Sequence, residues 1–269
     1  MDIPSLSTAN LPTDLHVKYR PGRFEELWNY PRDPNLQRIE RGLRSDRLAS
    51  VVVLTGPFGS AKTTIAMLLG QWSSCANWKT HPLPCGECAG CKLVRFGTGQ
   101  LRSGFFEIDA GWEGNDGAEE EIVRGINSFF HAGKGDITDA RTDNPRRKVL
   151  FIDEIQRLSG RVQDMLLKKP ERLRGGILAM ASNDETKIDG GLKSRGMNFR
   201  LSSPLPEEAV EPLIRIAKSE GFRLLPDAAR NIGDAGEGNP RDCLELLQET
   251  MAYEKPVITI VEVKAVLGQ

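Results

Sequence analysis

The residues with the clearest chemical potential lie in a glycine-rich loop between residues 56 and 64. Backbone N–H groups can converge on a phosphate at a helix N-terminus, and glycines let the main chain approach it closely. Lys62 would reach the terminal phosphates, the Thr63 hydroxyl would bind Mg²⁺, and Ala61 stands where the usual motif has glycine and could crowd the phosphates. The alternative is a glycine turn before an ordinary helix. The predicted nucleotide-contacting loop is Gly56, Pro57, Phe58, Gly59, Ser60, Ala61, Lys62, Thr63 and Thr64.

Two adjacent carboxylates, Asp153 and Glu154, follow an apolar run that begins at Val149. Ligands of open α/β sheets bind at the carboxyl ends of the strands, which is where this pair would lie. Asp153 would hold Mg²⁺ through water, and Glu154 would polarise an attacking water. A charge pair at a helix N-terminus is the alternative, but the phosphate loop upstream favours the functional interpretation.

Four cysteines are clustered shortly after the loop, with nine, two and two residues between successive members. This spacing suits a closed four-thiolate Zn²⁺ site, which is structural because no position is left for water. An iron–sulfur cluster and unliganded thiols are the alternatives, and His81 could replace one sulfur. Cys243 lies far from the cluster and is expected to be a small core residue. The predicted zinc ligands are Cys75, Cys85, Cys88 and Cys91.

Apolar runs of strand length alternate with helical patterns over the first 200 residues. This alternation predicts an α/β fold, with a parallel sheet covered by helices on both faces. The helical patterns lie at about 62–72, 119–130 and 161–169, and residues 131–147 are predicted to form a loop. The predicted strands are 50–55, 105–109, 148–153, 176–181 and 197–201.

A Pro-rich joint near residue 204 separates two regions that differ in their predicted secondary structure. Beyond it only helical patterns are found, at about 206–220, 226–235, 240–253 and 259–267. We therefore expect a nucleotide-binding domain over residues 1–203, with the zinc module at about 73–95, and a small all-helical lid domain over residues 204–269. Residues 1–16 are expected to be a loose lead-in.

The composition excludes a protein that is drawn to DNA or to membranes by its overall charge. Lys and Arg number 36 against 37 Asp and Glu, so the formal net charge is −1. A DNA contact must therefore come from a local basic face. The N-terminus has no basic, apolar leader, and no apolar run approaches the ~20 residues that span a bilayer. A cytoplasmic protein without membrane contact is expected.

Taken together, these motifs resemble the ATPase subunit of bacterial clamp loaders, the gamma/tau family of DNA polymerase III. The resemblance covers about residues 17 to 268 and rests on the phosphate loop, the cysteine module, the segment 106–110 and the segment 151–154. It implies the AAA+ P-loop NTPase fold and ATP hydrolysis that requires Mg²⁺.

The resemblance also implies roles for residues outside the loop. Tyr19 and Arg20, in Lys18-Tyr19-Arg20-Pro21, would border the adenine pocket, and Asn183 would contact the γ-phosphate or the attacking water as sensor 1. Arg195 would reach the ATP site of a neighbouring subunit, although Gly196 replaces the family's cysteine. Arg241 would clamp phosphate from the lid as sensor 2. Each arginine could otherwise be an ordinary surface charge.

The partners implied are other clamp-loader subunits, a sliding clamp and primer–template DNA, with Arg195 acting in trans in an oligomer. Family members continue into a helical collar domain, whereas this sequence ends at Gln269, so a pentamer does not follow from the motifs. A phosphate-tracking face for DNA would comprise Arg157, Arg161, Lys168 and Lys169, with a solvated helix face as the alternative.

Two other functions remain open. The first is a non-catalytic scaffold subunit that resembles a clamp loader, and the replacement at Ala61 is the only feature that favours it. The second is another AAA+ ATPase that remodels DNA. We expect the leading function to be ATP-dependent loading of a sliding clamp on primed DNA.

Overall fold

The computed structural model describes residues 14–97, 101–102, 104–111, 118–131, 148–168 and 176–269. The strands are β1 (Val51–Thr55), β2 (Leu101–Arg102), β3 (Phe105–Asp109), β4 (Lys148–Asp153), β5 (Gly176–Ser182), β6 (Met197–Arg200), β7 (Arg223–Leu224) and β8 (Val257–Ile258). The helices are α1 (Leu15–Lys18), α2 (Pro34–Arg44), α3 (Lys62–Ser74), α4 (Ala89–Phe96), α5 (Ala118–His131), α6 (Gly160–Lys168), α7 (Gly190–Arg195), α8 (Pro206–Ser219), α9 (Pro226–Ala235), α10 (Pro240–Met251) and α11 (Ile260–Val266).

The strands β1 to β6 form a six-stranded sheet in the order β2-β3-β4-β5-β1-β6. Its last five strands are parallel, and only the edge strand β2 is antiparallel. The predicted α/β fold with a parallel sheet is thereby confirmed. In this register Asp109 lies opposite Asp153, and Thr55 lies opposite Ser182. The chain therefore leaves several neighbouring strands at one edge, where ligands of such sheets bind.

Side chains on each strand alternate between two cores because successive residues of a strand point to opposite faces. Val52 and Leu54 of β1 enter a core that they share with α2 and α3. Val51 and Val53 enter the opposite core, which contains α5, α6 and α7. Helices thus cover both faces of the sheet, as a parallel sheet requires.

The helices α8–α11 surround a third core that is separate from the two sheet cores. They begin close to the predicted positions, but the expectation of helices alone was wrong. Two short strands, β7 and β8, pair in parallel there and bring residues 223–224 next to 257–258. The lead-in prediction also needs correction, because Leu15 begins α1 and is buried in this third core.

Several short elements were not predicted from the sequence, among them α2 and α4. The predicted loop over residues 131–147 lies outside the described residues, apart from His131 at the end of α5. Among the described residues, no helix has the length and apolar character needed to cross a bilayer.

Candidate nucleotide site and metal centre

A cleft of about 740 Å³ opens between the carboxyl edge of the sheet and the α8–α11 region. Its volume lies in the range of small-molecule sites in proteins. Among the predicted site residues, those that line it are Tyr19, Arg20, Phe58, Gly59, Ser60, Ala61, Lys62, Thr63, Thr64, Asp153, Glu154, Asn183 and Arg241. Gly56, Pro57 and Arg195 are not among the lining residues.

Lys62 is the first residue of α3, and its side chain folds back into the loop. Its ammonium donates to the carbonyl oxygens of Gly56 at 2.8 Å and Pro57 at 2.7 Å. Burial lowers the pKa of Lys62, while the carboxylates of Asp153 and Glu154 act to raise it. The loop thus holds a largely buried cation at the N-terminus of a helix, where anions bind favourably.

At more than one position of the loop, the backbone has the positive φ angle that glycine favours. Gly56 has φ 153°, and a Cβ there would lie 2.5 Å from the carbonyl oxygen of Leu201. Ala61 is also left-handed, with φ 67° and ψ 18°, although it carries a Cβ. This conformation costs an L-residue roughly 1–2 kcal/mol. The replacement of the motif's glycine by Ala61 therefore strains the backbone directly before α3.

The two predicted magnesium ligands lie side by side. The Thr63 hydroxyl donates to Oδ2 of Asp153 at 2.9 Å. Burial raises the pKa of Asp153, and the nearby Asp109 and Glu154 carboxylates raise it further, while the Thr63 hydrogen bond lowers it. A hydroxyl and a partly buried carboxylate crowded by other carboxylates suit a small divalent cation that prefers oxygen ligands. These residues therefore fit Mg²⁺.

Glu154 is held by neighbours on both carboxylate oxygens. The Asn183 amide donates to Oε1 at 2.7 Å, and the Gln156 amide donates to Oε2 at 2.6 Å. The Arg157 guanidinium lies 3.6 Å from Oε2. Glu154 itself has a left-handed backbone, with φ 53° and ψ 39°. Strain of this kind persists where the surrounding structure fixes a residue for a function.

Asn183 has one buried oxygen, Oδ1, without a hydrogen-bond partner in the described part of the chain. The residue follows β5 and lines the cleft. A buried amide oxygen at the wall of a cleft can accept a hydrogen bond from a water or ligand there. This arrangement suits the predicted contact with an attacking water.

Sequence reasoning missed several polar residues of the site, and two of them lie next to its carboxylates. Asp109 ends β3 and lines the cleft beside Asp153, and Gln156 contacts Glu154. The signal for Asp109 was available, since it is an acidic residue at the end of a predicted strand, like Asp153. Gln156 offered no signal because an exposed-looking glutamine after a strand is common.

Arg20 and Arg241 lie near each other in the cleft, although they come from opposite ends of the chain. Burial lowers the pKa of Arg20, and the positive charge of Arg241 lowers it further. Tyr19 donates a hydrogen bond to Glu220, and burial of the Tyr19 hydroxyl raises the pKa of Tyr19 to about 12. Two guanidinium groups in one partly buried cleft attract an anionic ligand.

Arg195 lies apart from the cleft, at the end of α7. Its guanidinium Nη1 donates to the carbonyl oxygen of Leu167 at 2.5 Å. The residue is exposed and does not line the cleft of its own chain. Arg195 therefore takes no part in the cleft of its own chain.

The structure brings the four clustered cysteines together. All four sulfurs lie within 4.8 Å of one another, and the Sγ atoms of Cys85 and Cys91 are 3.9 Å apart. Zn–S bonds of ~2.3 Å in a tetrahedral shell require sulfurs about 3.8 Å apart. None of these thiols is in a disulfide, and the backbone N–H of Ala76 lies 3.4 Å from the Cys88 sulfur as a donor. The cluster therefore fits zinc.

The other candidate ligand and the fifth cysteine lie elsewhere. The His81 ring is exposed and 2.9 Å from the Thr80 hydroxyl, and it does not belong to the cluster. Cys243 is fully buried in the third core, as expected for a core residue. Lys169 and the side chain of Lys168 lie outside the described residues.

Relatives of this chain are subunits of bacterial DNA polymerase III. The chain is 28% identical to the gamma subunit of Buchnera aphidicola, over 94% of this chain and 65% of that protein. It is 25% identical to the tau subunit of Bacillus subtilis and 26% identical to that of Escherichia coli, over 94% of this chain and 42% and 37% of theirs. These similarities confirm the resemblance that the motifs predicted. The chain spans less than two thirds of the length of these relatives.

Among solved structures, the fold matches the Holliday junction branch migration motor RuvB of Thermotoga maritima. The TM-score is 0.60 at 18% identity, over 93% of this chain and 72% of that one. This likeness concerns the fold alone. No protein-family model matches the chain. With its parallel sheet, phosphate loop and paired carboxylates, the chain has the fold and the motif residues of a AAA+ P-loop ATPase.

Loss of one clustered thiol should release the metal and destabilise the chain. We expect Cys88→Ser to lower bound zinc and to remove a large part of the stabilisation that structural zinc supplies, which is on the order of 10 kcal/mol in small peptides. Cys243→Ser is the control, since it removes a thiol outside the cluster and should leave the zinc content unchanged. Elemental analysis and thermal unfolding measure both effects. Equal zinc content in the two variants would contradict the site.

Glycine at position 61 should relieve the strained backbone. We expect Ala61→Gly to raise the free energy of unfolding by about 0.5–1 kcal/mol, because relief of left-handed strain exceeds the entropy that glycine adds to the unfolded chain. The control Ala66→Gly, inside α3, should lower it by about 1 kcal/mol. Urea unfolding of both variants gives the comparison, and the same sign for both would show that Ala61 is unstrained.

Proposed function

We propose that this chain is an ATPase of the clamp-loader type, which binds ATP with Mg²⁺ in the cleft and hydrolyses it. The observation that carries the proposal is the meeting of Lys62, the Thr63–Asp153 pair and Glu154 at one edge of the sheet. A cation, a metal-binding pair and a general base are the groups that phosphoryl transfer to water requires.

Each group has one task in this proposal. Lys62 binds the terminal phosphates, while Thr63 and Asp153 hold Mg²⁺, which compensates charge on the phosphate oxygens. Glu154 accepts the proton of the attacking water, and Asn183 orients that water through its unpartnered oxygen. Because Asn183 also donates to Glu154, a single residue fixes both the base and the water.

Three arginines complete the site in the proposal. Arg241 clamps phosphate from the lid domain, which we place at residues 204–269, and Arg20 lies beside it with Tyr19 at the adenine side. Arg195 acts on the nucleotide of a neighbouring subunit, which its exposed position away from its own cleft supports. A guanidinium supplied in trans makes hydrolysis depend on assembly.

The relatives support a place in DNA replication. We propose that the chain works with other clamp-loader subunits to place a sliding clamp on primer–template DNA in the cytoplasm. Arg157 and Arg161 are the described candidates for contacts to DNA phosphates, and both residues are exposed. The four cysteines hold a structural zinc ion.

Replacement of the proposed base should abolish hydrolysis without abolishing binding. We expect Glu154→Gln to slow single-turnover ATP hydrolysis by roughly 10²–10⁴-fold, because the amide cannot accept the proton of the water. Nucleotide affinity should change little. The matched control is Glu185→Gln, an exposed residue outside the cleft. Equal rates for Glu154→Gln and the parent would favour the non-catalytic scaffold.

The trans role of Arg195 can be tested by mixing two inactive variants. Arg195→Ala and Glu154→Gln should each be inactive alone, while the mixture should regain activity, since one interface then combines an intact base with an intact arginine. Native mass measurement with ATP and a candidate clamp reports the stoichiometry. Arg223→Ala, an exposed lid arginine, is the control. A mixture no more active than its components would rule out the trans role.

A further inference from the structure

The segment Tyr19–Glu26, here called the cleft segment, lies between the nucleotide cleft and the cysteine cluster. Its first residues, Tyr19, Arg20 and Pro21, line the cleft. Its later residues contact the module that carries the cysteines. The same short stretch of chain therefore touches both candidate sites, and nothing in the proposed function uses the second contact.

The first connection runs through Arg23. Its guanidinium donates to the carbonyl oxygen of Cys85 at 3.2 Å and pairs with Glu87 at 2.8 Å. Gly86 packs against Gly22, since a Cβ on Gly86 would lie 3.4 Å from the carbonyl oxygen of Gly22. The cleft segment thus packs on the turn between Cys85 and Cys88.

The second connection runs through Arg95 of α4, the helix that carries Cys91. Its guanidinium packs against the cleft segment at Gly22, where a Cβ would be only 2.8 Å from Nη1 of Arg95. Its Cζ lies 4.7 Å from the Phe96 ring, and its Nε is buried without a hydrogen-bond partner in the described part of the chain. The Arg95 side chain is thus partly buried, and it contacts the cleft segment through packing.

The charges around Arg95 connect this residue with Arg20, which lines the cleft. Burial lowers the pKa of Arg95, Glu26 acts to raise it, and the positive charge of Arg20 lowers it. Glu26 also accepts a hydrogen bond from the Gly22 N–H at 2.7 Å. Arg20, which lines the cleft, therefore has a like charge nearby in α4 of the cysteine module. The Arg20 guanidinium donates to Sδ of Met67 in α3 at 3.1 Å, and the packing of Arg95 on Gly22 holds the backbone two residues further along the chain.

We propose that Arg95 is a positioning residue for nucleotide binding, which supports the cleft segment from the cysteine module and keeps Arg20 directed at the bound nucleotide. The cysteine module thereby sets the nucleotide affinity of a cleft that it does not line. This inference rests on the proposed function, since it requires that the cleft binds nucleotide.

The affinity of the full zinc-loaded chain for a fluorescent ADP analogue tests the inference without any contribution from hydrolysis. We expect Arg95→Ala to bind on the order of ten-fold more weakly than the parent. Lys92→Ala is the matched control, because it removes an exposed positive charge from the same helix. Zinc content and melting temperature are measured for both variants, so that a loss of folding is distinguished from a loss of affinity.

A double variant separates positioning from general destabilisation. If Arg95 acts through Arg20, then Arg20→Ala with Arg95→Ala should bind no more weakly than Arg20→Ala alone. If the affinity loss of the double variant instead equals the product of the two single losses to within about two-fold, the two residues act independently, and the proposal is overturned. Affinities of Arg95→Ala and Lys92→Ala that agree within about two-fold would also overturn it.

A conservative change keeps the test decisive. Arg95→Lys retains the charge but loses the planar group that lies on Gly22, so it should bind more weakly than Lys92→Ala and more tightly than Arg95→Ala. If Arg95→Ala does not fold, the comparison of Arg95→Lys with Lys92→Ala decides. A parent chain that binds no ADP would refute the proposed function itself, whereas a parent that binds while Arg95→Lys binds equally well refutes only this inference.

Discussion

Helix α3 sets the spatial relation between the two candidate sites. Lys62 of the phosphate loop is its first residue, and Cys75 follows its last residue, so the loop and the first cysteine lie about 20 Å apart. From Ile65 onward every residue of the helix is buried, including the polar Gln71. A helix buried on all sides in a close-packed core cannot shift without disturbing its neighbours. The sheet, the cleft segment and the cysteine module are all placed with respect to this helix.

The elements that the sequence predicted well are those with local signals. The parallel strands are short apolar runs, and the phosphate loop and cysteine spacing are recognisable from adjacent residues alone. The helix α4 was missed because Cys91 was assigned to the cysteine cluster and the remaining apolar face of the helix is short. The strands β7 and β8 were missed because two-residue strands depend on a partner more than thirty residues away, as the pairing of Leu224 with Ile258 shows.

The candidate site was predictable as a set of residue types but not as a set of contacts. Sequence placed Glu154 and Asn183 in one site, yet their hydrogen bond depends on the register of β4 beside β5. The left-handed backbone of Ala61 and Glu154 could not be read from residue type, because both residues prefer other conformations. Arg95 carried no signal at all, since its effect arises from packing on a glycine that is distant in sequence.

The position of β1 between β5 and β6 has a consequence for the order in which parts of the sheet are synthesised. The Gly56 N–H donates to Ser182 at 3.3 Å, and Thr55 accepts from the Leu201 N–H at 2.7 Å, so the phosphate loop is anchored by residues made much later. The cysteine cluster closes within residues 75–91. At roughly 5–20 residues per second, a ribosome needs several seconds to translate the intervening chain. The four cysteines are therefore synthesised several seconds before the residues that anchor the phosphate loop, so the candidate metal centre and the nucleotide cleft are completed at different times.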